Sequence, residues 1–299
     1  MRFFVMLAAL LIAGPAAAAD LVVERTADFT IDATINGQPV RLRVDPETSG
    51  YIILNQAAVR RLGLRRSLLG SATRIGPVRL TGGSKVAEVA IGGVTGDRRL
   101  VWLEDREAIA GADGLIGPAD MPFGRVTFDL GPPRDGEAAF VLPMQFERSF
   151  GLYHGMRIGE HDFRFQFSLT KPFTLATAGA GAALAGLQEG AWTGEAVDQV
   201  IELGVVRPVR PLRLARPLPV GGRFLLADLR VRTGDNRGNL ALPPEPDADP
   251  DEVVVTGRSR QRAAFVVHVG LDRLEACSSL VWDNQTRQLT LNCASPPAV

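Results

Sequence analysis

Two long stretches of this chain run in parallel with two others, and that repetition limits the folds open to it. Gln38 to Leu64, QPVRLRVDPETSGYIILNQAAVRRLGL, aligns with His161 to Leu187, HDFRFQFSLTKPFTLATAGAGAALAGL. Each reads as a strand, a polar turn, a short apolar strand and then a helix. Farther on, ADGLIGPADMPFGRVTFDLG (Ala112 to Gly131) aligns with FVVHVGLDRLEACSSLVWDN (Phe265 to Asn284). Here apolar residues and a glycine precede a short helical segment and a strand that reaches an aspartate. The same order and spacing predict one unit built twice, as lobes over residues 20–145 and 146–299.

The remainder is short apolar runs broken by Gly, Pro and Asp turns, as in KVAEVAIGG, RRLVWLED, RVTFDLG and FLLADLRVR. Such runs predict strands. Helical period is confined to short pieces, NQAAVRRLGL and ATAGAGAALAGL being the clearest. The expected fold is mostly β with a few short helices.

The chain begins MRFFVMLAALLIAGPAAAAD, one arginine, an apolar run and small residues, which predicts a signal peptide over residues 1–19. The run is too short to span a membrane comfortably, and no later stretch is apolar for long enough. The expectation is a periplasmic or secreted protein without a transmembrane anchor after signal cleavage. In CSSLVWDNQTRQLTLNC two alternating runs flank a polar turn, a hairpin that brings Cys277 opposite Cys293. A cross-strand disulfide suits export, two buried thiols being the alternative. Basic and acidic residues balance at 33 each. That leaves no electrostatic case for nucleic acid or an anionic membrane.

Asn36-Gly37, a strand ending in Asp45, a Ser/Thr/Gly turn, Ala57 to Leu64 and the later Asp113 to Gly117 together resemble the retropepsin-like aspartic peptidases. The resemblance covers most of the first lobe and, more weakly, the second. It implies two β-barrel lobes in one chain, as in pepsin-like enzymes. It also implies a centre where each lobe brings one aspartate to a shared proton and a bound water.

The turn departs from that pattern. Asp45 takes the family's catalytic position, but Pro46 and Glu47 follow it, and proline removes a backbone donor. A shifted alignment makes Glu47 the acid, with Thr48, Ser49 and Gly50 after it. In the second lobe the position equivalent to Asp45 is Ser168, and its turn holds no Asp or Glu. A single chain therefore supplies at most one central carboxylate. Catalysis would then require Glu47, or two chains pairing their first lobes so that Asp45 meets its symmetry mate.

A Pro-rich, acidic insertion over about residues 235–262 reads as disordered. Within it Asp251, Glu252, Val253, Val254, Val255, Thr256 and Gly257 resemble a TonB box, the strand by which outer-membrane transporters engage TonB. An ordinary strand of the second lobe is the alternative. His154, His161 and His268 do not have metal-ligand spacing, and GAGAALAG does not match a dinucleotide-binding loop, so neither metal nor cofactor is expected. Arg207, Arg210, Arg213 and Arg216 suggest an extended segment with its arginines on one side. Trp102, Trp192 and Trp282 read as core or cleft-wall residues. The functional expectation is an exported peptidase homologue that has lost catalysis and binds peptide or protein in its inter-lobe cleft, with an active aspartic endopeptidase as the alternative.

Overall fold

The computed structural model describes residues 19–68, 70–222, 224–235, 242–243 and 263–294. Most of the signal segment and all of Asp251 to Gly257 lie outside them. The first half carries β1 (Asp20–Glu24), β2 (Thr30–Ile35), β3 (Gln38–Val44), β4 (Ile52–Leu54), α1 (Gln56–Arg61), β5 (Ser71–Ile75), β6 (Val78–Ile91), β7 (Val94–Leu103), β8 (Gly114–Ile116) and β9 (Arg125–Asp129). The second half carries β10 (Glu137–Pro143), β11 (Gln145–Glu147), β12 (Gly151–Ile158), β13 (His161–Phe167), β14 (Leu175–Ala176), α2 (Ala178–Leu187), β15 (Gly190–Trp192), β16 (Val197–Glu202), β17 (Val205–Val220), β18 (Phe224–Arg232), β19 (Val266–Val269), α3 (Leu271–Leu274), β20 (Cys277–Asp283) and β21 (Gln288–Ala294). The protein is mostly β, as its sequence predicts.

Strands β2 and β3 form a hairpin turning at Asn36-Gly37, where both residues have positive φ (49° and 75°). That is the backbone an Asn-Gly turn adopts most readily, and it matches the twist of the flanking strands. Because β6 pairs with β2 as well as with β7, the ring β2-β3-β8-β4-β7-β6 closes into a six-stranded barrel, with β5 attached to β6 at its edge. Alternation along β3 points Val40, Leu42 and Val44 inward and Arg41 outward. Leu42 and Val44 meet Ile35, Ile52, Leu54, Leu100 and Ile116 in a core from which water is excluded.

The sequence repeat reappears as a repeat of strand pairing. In the first half β3 is parallel to β8, β8 antiparallel to β4, and β4 parallel to β7. In the second half β13 is parallel to β19, β19 antiparallel to β14, and β14 parallel to β18. Val44 opposite Ile116 thus corresponds to Phe167 opposite Val269, and the next residues, Asp45 and Ser168, occupy equivalent places. Each donates its backbone N–H in the same way, Asp45 to Ile116 O at 3.1 Å and Ser168 to Val269 O at 2.9 Å.

A third sheet, ordered β1-β9-β20-β21-β10, takes strands from both halves. Its apolar face buries Phe128, Trp282, Leu280, Leu289 and Leu291. Cys277 and Cys293 are opposed in it and joined by a disulfide, so the free-thiol alternative falls away. No helix among the described residues is long and apolar enough to cross a membrane.

Helix α2 is buried from Ala178 to Ala185. Its Ala/Gly composition reflects tight packing, since a Cβ at Gly181 would lie 2.4 Å from Val231. The arginines of β17 do not share one side, because in a strand of period two a spacing of three alternates faces. Arg207 reaches Asp235 and Arg213 reaches Asp228, while Arg210 donates to Gly194 O and lies over the Trp192 ring. Trp102 and Trp282 are core residues, and Trp192 is part-buried.

Asn55 precedes α1, yet its side chain does not cap the helix. Its amide donates to Ile109 O and Ala112 O, and its oxygen accepts from the N–H groups of Ala108 and Ile109. One buried side chain thus holds the whole 108–112 loop. Asn55→Ala leaves these groups unpaired, and urea unfolding is expected to show a loss of about 2 kcal/mol.

Candidate functional site

The ends of β3 and β13 bring Asp45 and Ser168 together although they lie 123 positions apart. Asp45 is 1% exposed and Ser168 wholly buried. Ser168 Oγ donates to Asp45 Oδ2 at 3.0 Å, and the same oxygen accepts from the N–H groups of Leu169 (3.1 Å) and Thr170 (2.9 Å). Asp45 Oδ1 accepts from Glu47 N–H at 3.0 Å, and Thr48 N–H returns to Asp45 O. Pro46 therefore sits in an Asx-type turn that Asp45 closes with its own side chain. Burial first, and then the nearby Glu47 carboxylate, push Asp45 up to about 6, against the pull of Lys171 and the donated hydrogen bonds.

Glu47 points into the second half. Lys171 Nζ contacts Glu47 Oε1, and His268 Nδ1 lies 2.7 Å from Glu47 Oε2. Burial alone would raise the Glu47 carboxyl, but Lys171 and then His268 outweigh it and hold Glu47 well below the usual carboxylate range. Burial likewise opposes charge on Lys171, yet Glu47, Glu202 and Asp45 keep its pKa above that of a free lysine. An ionised carboxylate only accepts, so His268 donates from Nδ1. Gln166, beside His268 across the β13–β19 ladder, donates to Phe150 O at 2.8 Å.

The cluster forms part of the lining of a cavity of about 930 Å³ drawn from both halves. Glu47, Lys171 and His268 face it among apolar walls that include Trp102, Phe150 and Phe173, whereas Asp45 and Ser168 are not among its lining residues. Two hairpins meet beside it. Ile75 and Leu80 of β5–β6 pack with Ile201, Val205 and Val209 of β16–β17 in a separate apolar cluster. At the β5–β6 tip, a Cβ on Gly76 would lie 2.4 Å from the Asp235 carboxyl carbon, and Asp235 in turn pairs with Arg207 and Arg232.

Sequence reasoning singled out Asp45, Glu47, Thr48 and Ser168, and the structure places all four at one centre. Thr48 is buried beside the turn. Lys171 and His268 went unrecognised as members of that centre. A signal existed, since the repeat sets His268 opposite Gln166 where Leu115 stands opposite Arg43, a polar pair inside an apolar ladder. The other histidines are elsewhere, His154 against Pro143 O and His161 stacked on Phe265. Among the described residues no group of three or more His, Cys, Asp or Glu is placed to hold a metal ion.

Chemically, the centre has one carboxylate bracketed by a hydroxyl and three amides, and a second locked between two nitrogen donors. No family model matches the chain, and no curated protein is significantly similar to it.

Proposed function

We propose that this is an exported, two-lobed relative of the retropepsin-like aspartic peptidases whose catalytic centre has become a structural bracket, and that its cleft binds peptide or protein without cleaving it. The observation that carries this reading is the occupation of Asp45 Oδ2 by Ser168 Oγ and two amides of the same chain. Proton-sharing catalysis needs a second acid where Ser168 stands and a water between the two. Glu47 does not supply that acid, because both of its oxygens are engaged. A symmetry mate would have to dismantle the Ser168 bracket before its own Asp45 could approach.

Binding is supported by the cavity and its borders. Its volume suits a ligand of several residues or a comparable small molecule. Among the described residues edge strand β5 pairs only with β6, and β16 only with β17, and residues of both line the cavity. An extended peptide can add to a strand edge through its main chain and place alternate side chains against apolar walls.

The test is a diverse peptide library offered to the protein between about pH 3 and 7, with Asp45→Asn beside it. No cleavage is expected from either, while labelled extended peptides bind saturably and Phe150→Ala weakens them about tenfold. Cleavage by the natural protein that Asp45→Asn lacks would establish a peptidase and end this reading.

A further inference from the structure

The side chains around Glu47 are only partly used by the protein itself. His268 gives its Nδ1–H to Glu47 Oε2, and among the described residues its Nε2 has no hydrogen-bond partner. Lys171 gives one of its three ammonium protons to Glu47 Oε1, and the other two have no acceptor among the described residues. Both side chains are more than nine-tenths buried, and both line the cavity. Polar groups so placed favour any ligand that supplies their missing partners. On the reading that the cavity is the binding site, we propose that Lys171 and His268 form a carboxamide subsite. It takes the side chain of a glutamine or asparagine in the bound peptide, with the amide oxygen on Lys171 Nζ and the NH2 group on His268 Nε2.

The two nitrogens differ in character and are fixed beside each other, each tied to a different oxygen of one carboxylate. Because the Glu47 carboxylate only accepts, it holds the ring as the Nδ1–H tautomer, and in the neutral imidazole Nε2 is then an acceptor. The cavity thus offers a donor and an acceptor side by side. Of the side-chain groups, a carboxamide is the one that carries an acceptor oxygen and an N–H donor on the same carbon.

Other groups fit less well. A carboxylate would meet the Nε2 lone pair, and Glu47 and Glu202 of β16 already outnumber the Lys171 ammonium. Arg232, another cation on the cavity wall, is paired with Asp235. A basic side chain would be set against Lys171. An alkyl side chain would bury both nitrogens with nothing to bond. The neighbouring carboxamide of the chain itself, Gln166, does not fill the role, since its NH2 group goes to Phe150 O and Glu47 O. Phe150 and Phe173 supply apolar wall for the methylene stem of the ligand's side chain.

The test uses the full chain at about pH 8, where an ordinary imidazole is neutral. Extended peptides identical except at one position, which carries Gln, Asn, Glu or Leu and is moved along the peptide, are titrated by fluorescence anisotropy. At one register the Gln or Asn peptide is expected to bind on the order of tenfold more tightly than its Glu and Leu counterparts, and His268→Phe should remove that preference. Equal affinities at every register, or a preference for Glu, overturn the subsite while leaving peptide binding intact. Should His268→Phe fail to fold, or should no peptide bind, the 15N resonance of His268 Nε2 in the natural protein decides. Propionamide should move it in a saturable way and propionate should not. That result without peptide binding would keep the subsite and end the peptide reading, and an Nε2 resonance indifferent to propionamide overturns the subsite.

Discussion

Lys171→Met is expected to destabilise the protein by on the order of 3–5 kcal/mol in urea unfolding, out of proportion to the loss of one ion pair. The side chains of Lys171, Glu47 and His268 are 7%, 12% and 9% exposed, so none of them has water in reserve. Removing the ammonium leaves the Glu47 carboxylate buried with the His268 Nδ1 hydrogen bond as its remaining side-chain contact across the centre. The cost of that orphaned charge dominates. Replacing both partners, as in Glu47→Gln with Lys171→Met, removes the charge together with its counter-ion and should recover most of the loss. The pH profile carries a sign that checks the cause. Glu47 is held below its ordinary value of 4.5, so the pair's contribution is present above about pH 4.5 and fades as pH falls further. In Lys171→Met this acid-side loss should shrink. A single-variant cost below about 1 kcal/mol would mean that the pair does not hold the halves together.

The second large effect is expected at two glycines that the repeat pairs, Gly117 and Gly270. A Cβ at Gly117 would lie 2.5 Å from Thr48 O, and one at Gly270 would lie 2.4 Å from the Phe173 carbonyl. In both places the obstacle is backbone of the turn that carries the central residues, so no side-chain rotation can relieve it. Gly270→Ala should cost on the order of 3 kcal/mol and shift the Ser168–Lys171 turn away from Asp45 and Glu47. Gly117→Ala should do the same from the other side. Gly186→Ala in α2, where a Cβ would meet nothing within 4 Å, is the control and should be neutral or slightly stabilising. Equal melting temperatures for all three variants would show that the turns are not held by these close approaches.

Much of the centre was legible because it lies on the repeat. Asp45 and Ser168 follow aligned strands, and aligning those strands was enough to see that an acid faces a hydroxyl. Cys277 and Cys293 were legible for a local reason, since a hairpin of period two puts its ends in register. Lys171 and His268 were not, for their partner Glu47 is 124 and 221 positions away. No local pattern reports contacts at such separation. The arginines of β17 were misjudged because Pro-rich spacing suggested a three-fold helix, whereas pairing with β18 imposed a two-fold strand. Helix α2 looked like an ordinary short helix. Its burial follows from what packs on it.

The chain alone specified the alternation of apolar and polar residues, the turn at Asn36-Gly37 and the order of strands in each half, because these depend on neighbours a few positions apart. It also determined that only one of the two equivalent turns carries an acid. What that acid does follows from the folded arrangement. Only when β3 and β13 are brought end to end does Asp45 meet Ser168 and the two amides, and only then does Glu47 lose its water and need Lys171 and His268. Desolvation and long-range pairing set the charge and reach of these groups, and both come into being when the halves close.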